Sequence, residues 1–402
     1  MKQQNILSQV KNLTFREILY NNEVRAFFFQ VATFLLIFGL FYTIIGNLFD
    51  NIEARGIHTG FSFLKNRAGF DILPFLGNYL QEYTPESSNL TVFYVGLINT
   101  LVVALVGIIV TTFLGLFIGI ARLSNNYLVA KLAGGYIELF RNIPVLLQIF
   151  FWYNIFINIF PHPKKSFSFF DVAFLNQRGL YLPKPILESG FSLVIIAFVV
   201  GIILTVFMKR YFNKKHDETG VYTKTLGYST LLILGLPAVF FLLLGSPLHF
   251  DLAVLGKFNL KGGMQIVPEF IALTFALSVY TATYIAEAIR SGIEAVDKGQ
   301  KEAAAAIGLT QTQSLKLIVL PQALRVAIPP TINQYLNLTK NSSLATAIGY
   351  PELMSAFGGT VLNQVGQAVE ILGMAMLVYL FISLCISLLL NFVNKRMAIP
   401  ER

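Results

Sequence analysis

The chain has 402 residues, of which 55% are hydrophobic and 13% charged, whereas a soluble domain carries charge on about a quarter of its residues. A soluble chain this long could bury a large core but would still need a charged surface, so the composition excludes that class and indicates a membrane protein. The net charge of +9 does not point to nucleic acid, because Lys and Arg lie in short stretches between apolar runs, where they set membrane orientation.

Lys2, Lys11, Arg16 and Arg25 precede a first apolar run at 26–48. That run is too long for a signal-peptide core and lacks a small-x-small cleavage site, so it is expected to stay as an anchor. Further runs near the length of about 20 residues that crosses a bilayer follow at 92–120, 142–160, 191–208, 227–244, 268–288, 323–340 and 370–392. The seventh of these eight spans holds Pro329, Pro330, Asn333, Gln334 and Asn337. A helix so polar and proline-broken can cross only when protein surrounds it.

With the N-terminus inside, the inner segments carry twenty Lys and Arg and the outer segments ten. The inner set is Lys2, Lys11, Arg16, Arg25, Arg122, Lys131, Arg141, Lys209, Arg210, Lys214, Lys215, Lys224, Arg290, Lys298, Lys301, Lys316, Arg325, Lys395, Arg396 and Arg402. The bias predicts that both termini are cytoplasmic. The fold class expected is all-α and polytopic, with about eight transmembrane helices. Residues 1–91 form a lead, first helix and outer segment; 92–392 form the transmembrane domain, with a helical hairpin inserted at about 186–245; 393–402 form a tail. The outer stretches 49–90 and 161–185 have the mixed composition of structured segments rather than linkers.

The most informative stretch is 289–321, IRSGIEAVDKGQKEAAAAIGLTQTQSLKLIVLP. Local signals write it as two short helices. Asp297 can cap the first, with Gln300 closing a capping box, and Gly308 ends it in a left-handed turn. Thr310 and Gln313 form the next capping box, and Pro321 is expected to stop the second helix. Ala303, Ala304, Ala305 and Ala306 leave a smooth surface, while Leu315, Ile318 and Val319 give the second helix an apolar side. Helices this short do not stand alone in water. The pair must dock, either on its own transmembrane domain or on another protein.

Glu302, Ala303 and Ala304, then three residues to Gly308, then nine to Ile318, Val319, Leu320 and Pro321 resemble the coupling motif of membrane subunits of bacterial ABC importers. In that family the helical pair inserts into a groove of the ATPase subunit, which implies coupling roles for Glu302, Ala303, Ala304, Gly308, Ile318 and Pro321. The stretches Glu138 to Gln148, Tyr284 to Glu287, Leu320 to Arg325, Asn341 to Leu344 and Ile348 to Leu353 resemble the polar-amino-acid branch. Those from Arg55 to Leu64 and from Ala68 to Ile72 are similar to first permease subunits of general L-amino-acid importers.

The resemblance implies a MetI-like, type I importer permease core made of spans two, three, six, seven and eight. It also implies a bacterial inner-membrane location, an ATPase dimer that binds the ATP and Mg, a second permease subunit, a periplasmic amino-acid-binding protein and an L-amino acid as cargo. This chain itself should hold no cofactor, metal or catalytic site.

The residues present agree with a division of labour. A phosphate-cradling loop needs Gly-x4-Gly-Lys-Ser/Thr, and Gly256-Lys257-Phe258 does not supply it. Cys385 sits in an apolar run, and His58, His162, His216 and His249 are scattered over loops without ligand spacing. Polar groups at membrane depth are candidates for a translocation path: Asn99 and Thr100 in span two, and Asn333, Gln334 and Asn337 in span seven. Helix-to-helix hydrogen bonding is the alternative for them. Glu138 with Arg141 and Glu287 with Arg290 are spaced for ion pairs within a helix or for a gating network. An ion-driven transporter should show inverted repeats and mid-membrane ionisable groups, and a membrane enzyme a nucleophile–base or metal set; neither pattern is legible.

Overall fold

The computed structural model describes residues 22–54, 56, 59–72, 82–221, 223–256 and 259–397. Lys2, Lys11, Arg16, Arg55, His58, Lys257 and Arg402 lie outside the described residues, as do the side chains of Lys395 and Arg396.

Among the described residues, ten helices carry the architecture. They are α1 (Asn22–Ala54), α2 (Asn89–Arg122), α3 (Tyr127–Asn142), α4 (Val145–Asn158), α5 (Phe191–Thr219), α6 (Leu226–Leu243), α7 (Pro268–Glu294), α8 (Lys298–Ala306), α9 (Leu320–Asn341) and α10 (Ala368–Met397). Among the described residues, seven helices are long and apolar enough to cross a membrane, or eight if the bent pair α3 and α4 counts as one span. The all-α, polytopic fold expected for the chain therefore holds.

The third span differs from expectation. α3 and α4 meet at 103° rather than forming one rod. The cause is local: a residue before proline is pushed out of the helical region, and Ile143 adopts φ −92°, ψ 125° ahead of Pro144. The 14 residues of α4 reach about 21 Å, less than a bilayer core of about 30 Å.

α7 is the axle of the bundle. It packs against α2, α3, α4 and α9, and Leu273, Ala276, Leu277, Ala282 and Ala286 on it are fully buried. Membrane helices gain little from hydrophobic burial, so they associate by close packing at small residues. α2 supplies these as Gly115 and Gly119, where a side chain would run into Ile285 and the Ala286 carbonyl. Gly292 does the same towards α9: an added Cβ would lie 2.6 Å from the Ala323 oxygen.

The end of the bundle away from α8 carries eight short strands among the described residues, which sequence patterning did not reveal. β1 (Phe167–Phe169), β2 (Ala173–Asn176), β3 (Gly179–Leu182) and β8 (Met264–Ile266) make an antiparallel sheet in the order β1-β2-β3-β8. β4 (Lys184–Leu187) pairs with β5 (Leu248–Asp251), and β6 (Val254–Leu255) with β7 (Leu260–Lys261). Strands of two to four residues are too brief for alternation to register. They knit together the two stretches flanking α5 and α6, which pack on each other where Gly201 meets the Leu232 carbonyl.

Two loop expectations are also revised. His216 lies in the last turn of α5, and His249 sits in β5 with Nδ1 3.6 Å from Glu188.

The outer segment after α1 shares a core with the bundle: Phe63, Ala68 and Ile72 bury against Val92, Val95, Phe357 and Ile371. Tyr83 ties its two limbs together by donating to the Phe70 carbonyl. Burial, with Asp71 nearby, pushes the Tyr83 hydroxyl up to about 12, so it remains a donor at neutral pH.

Gly292→Leu should destabilise the detergent-solubilised protein by about 1–3 kcal/mol through overpacking. Thermal unfolding checks this, with Gly373→Leu as the comparison, since a side chain at Gly373 meets nothing within 4 Å and should leave the midpoint unchanged.

Candidate functional site

The elbow joins α7 to α9. Asp297 caps α8 by accepting from the Gly299 N–H at 2.6 Å; the reciprocal bond expected from Gln300 is not formed, because the cap lands on the second helical residue rather than the third. α8 ends at Gly308 with φ +80°. The Leu309 N–H reaches the Ala304 carbonyl and the Gly308 N–H that of Ala305, both at 3.0 Å. This paired closure needs a left-handed residue, which glycine adopts at least cost. The second capping box forms as read: Gln313 N–H donates to Thr310 Oγ1 at 3.3 Å, and Thr310 N–H to Gln313 Oε1 at 2.9 Å.

Pro321 does not stop the second helix. A short helix, Gln311–Ser314, passes through a π-turn, Leu315–Val319, directly into α9. Pro321 falls in the first turn of α9, immediately after that wider turn, where its missing N–H is tolerated.

The elbow has two faces. Inward, Val296, Val319 and Ala323 form a small core, and Ala304 is buried. Outward, Glu302, Ala303, Ala305 and Ala306 are exposed, and so are Ile307, Leu315 and Leu317. Ile318 and Pro321 are half-buried between the two faces. Docking on the bundle thus accounts for one side only and leaves a smooth apolar face open.

Beside the elbow, Arg290 pairs with Glu287 (Nε to Oε1 3.1 Å) and also with Glu294. The pair expected between Glu138 and Arg141 is not formed. The Arg141 guanidinium lies 5.2 Å from the centre of the Tyr284 ring, joining α3 to α7 by a cation–π contact.

The five path candidates separate into two groups. α9 runs unbroken through Pro329 and Pro330. Asn333 and Asn337 project from one exposed face that also holds Val326 and Lys340, with Gln334 half-buried at its flank. Asn99 and Thr100 are instead fully buried on α2. Asn99 donates to the Pro351 carbonyl at 2.9 Å, and Thr100 accepts from the Leu353 N–H at 3.1 Å.

These two residues hold an irregular segment to which the sequence resemblance drew attention at 341–344 and 348–353 but gave no role. Between α9 and α10 the chain forms a 3-10 stretch, Ser342–Ile348, a turn at Gly349 with φ +75°, and a π-helix, Met354–Val361. Thr100 on α2 and Tyr379 on α10 both meet this segment, each about 16 Å along its helix from the strand-bearing end. At its centre Glu352 is fully buried. Its carboxylate accepts from the Met354 N–H (2.9 Å), the Ser355 N–H (2.7 Å) and the Tyr379 hydroxyl (2.6 Å). Charge-assisted bonds of this kind are what make a buried carboxylate tolerable. The sequence signal was a lone acid inside an apolar stretch, the usual mark of a group that matters at membrane depth.

Glu352→Leu would strand all three donors, at about 1–3 kcal/mol for each unsatisfied group, whereas Glu352→Gln keeps one acceptor oxygen. Thermal unfolding in detergent should rank wild type above Glu352→Gln and that above Glu352→Leu. Thr310→Ala should cost about 1 kcal/mol of local stability, read as faster amide hydrogen exchange across 311–314.

Residues 218–399 match the family model of the binding-protein-dependent transport system inner membrane component. The chain is 50% identical over 383 residues to YhdX of Escherichia coli (strain K12), which bears the name of an amino-acid ABC transporter permease protein; the match covers 95% of this chain and 96% of that one. It is 45% identical to the general L-amino acid transport system permease protein AapQ of Rhizobium johnstonii, over 97% of this chain and 96% of the relative. It is 38% identical to the glutamate/glutamine/aspartate/asparagine transport system permease protein BztB of Rhodobacter capsulatus, over 96% of each. With end-to-end similarity of this order to proteins of one kind, the chain belongs to the amino-acid ABC transporter permeases, the non-catalytic membrane subunits of ATP-driven transporters.

Proposed function

We propose that this chain lines part of the path of an L-amino-acid importer of the bacterial inner membrane, and that a separate ATPase moves it through the elbow at 289–321. The observation that carries the reading is the two-faced elbow. One side is fixed to α7 and α9 through Val296, Val319 and Ala323, while Glu302, Ala303, Ala305, Ala306, Ile307 and Leu317 are left open. A partner bound to the open side would push directly on the two helices that the buried side grips.

The partners are an ATPase dimer that binds the ATP and Mg, a second permease subunit forming a heterodimer, and a periplasmic amino-acid-binding protein. The excess of Lys and Arg on one side supports an elbow and both termini in the cytoplasm. Residues 92–392 act as the transmembrane domain, with 186–245 inserted into it, and the lead 1–91 and tail 393–402 at its ends.

The open face of α9 supports a path at Asn333, Gln334 and Asn337. Amides turned to hydrocarbon would lack partners at a cost of several kcal/mol, so this face needs water, cargo or protein against it. Amides can also serve both charged ends of a zwitterion without adding net charge. Asn99 and Thr100 contribute at one remove, by holding the Glu352 segment beside α2. Nothing in the family assignment supports the alternative of a carrier driven by an ion gradient.

In the complete complex reconstituted in liposomes, Gly308→Pro and Glu302→Lys should leave the chain in the membrane and ATP hydrolysis running but abolish uptake. Wild-type uptake in both variants would contradict the elbow assignment. Asn333→Ala combined with Asn337→Ala should preserve assembly and lose amino-acid transport; normal uptake would remove these residues from the path.

A further inference from the structure

The first helix and an apolar groove of the bundle lie unfilled within reach of each other. In α1, every described side chain from 25 to 51 is exposed. Between α2 and α10 runs a groove of about 600 Å³, walled by apolar side chains including Leu97, Leu101, Leu105, Phe381 and Leu389. Cys385, the single cysteine of the chain, also lines it.

Connectivity joins the two. The Gly60 N–H donates to the Glu370 carboxylate in the first turn of α10 at 2.7 Å. Phe63 packs against Phe357, and the Asn89 side chain at the start of α2 donates to the Phe63 carbonyl at 3.0 Å. The chain that follows α1 is therefore clamped to the ends of both helices that wall the groove. Five residues lie between Ala54 and Gly60, six steps of the chain with a reach of at most about 20 Å. The other loosely attached helices, α5 and α6, hang from the strands between α4 and α7 and already cover each other.

We propose that α1 seats in the groove between α2 and α10 and acts there as an additional helix of the bundle. Lipid would solvate α1 as well as protein does, so close packing has to favour the contact. Gly39, Thr43 and Gly46 supply it, standing at i, i+4 and i+7 on one face; nothing lies within 4 Å of where a side chain would sit on either glycine. Depths also correspond. Cys385 lies 17 residues into α10, about 25 Å, and the same distance back from Ala54 reaches Ile37.

The native cysteine provides the test. In the full chain in native membranes, single cysteines are placed at each position from 31 to 44, and a protease site is inserted in the 220–225 connection. After oxidation and cleavage, a disulfide to Cys385 holds the two fragments together on a non-reducing gel. It forms when the Cα atoms lie within about 7 Å, and a bis-maleimide linker run in parallel removes the dependence on disulfide geometry. Joined fragments are expected at positions recurring every three or four residues, with complete loss on Cys385→Ser. Failure at every position would mean that lipid fills the groove, and linkage only between separate polypeptides would mean that another subunit does; either result overturns the proposal. Neither readout depends on transport, so the outcome is independent of the function proposed above.

Discussion

In hydrocarbon there is no water to accept a stray N–H, and each unsatisfied backbone group costs several kcal/mol. Most of this chain meets that constraint with uninterrupted helices. The stretch from 342 to 365 does not, because it passes through 3-10, left-handed and π geometry in turn. It is held there because Glu352 gathers two backbone N–H groups and the Tyr379 hydroxyl, while Asn99 and Thr100 secure the neighbouring backbone from α2. That one carboxylate fixes α2, the irregular segment and α10 in register.

The other end of the bundle is built on opposite terms. Around the elbow the contacts are small and apolar: Gly292 against Ala323, and Val296 against Val319. Such contacts allow close approach without directional bonds. α7 runs from the rigid, strand-bearing end to the elbow and is buried along most of its length, so a displacement applied at the elbow reaches α2, α4 and α9 through one stiff helix. Arg141 over Tyr284 ties α3 to α7, and Glu287, Arg290 and Glu294 pair with one another within α7 beside the elbow. In the proposed coupling, the strand-bearing end would hold the frame while the smooth end would receive the push.

Membrane character, the helix count and the elbow were legible in the sequence because each depends on signals within about 20 residues: run length, capping pairs and one glycine. Thr310 with Gln313 and Gly308 formed as their local chemistry dictates. Pro144 bent the third span and Pro321 failed to end a helix for a shared reason. A proline states what its own N–H cannot do, but the outcome depends on whether the preceding residue leaves the helical region, as Ile143 does, or a π-turn absorbs the loss, as at 315–319.

By itself the sequence determined that the chain is embedded in lipid through a series of apolar helices, and that one segment between the sixth and seventh spans has the chemistry of a docking elbow. Only the tertiary structure decided which polar residues are open and which are already engaged. Asn333 and Asn99 are the same residue type at comparable depth, yet one faces outward from α9 and the other is spent on the Pro351 carbonyl. The difference is set by a partner some 250 residues away along the chain, a distance over which neither periodicity nor spacing carries information. The strands followed the same rule: their pairing joins 167–187 to 248–266 across an entire inserted hairpin.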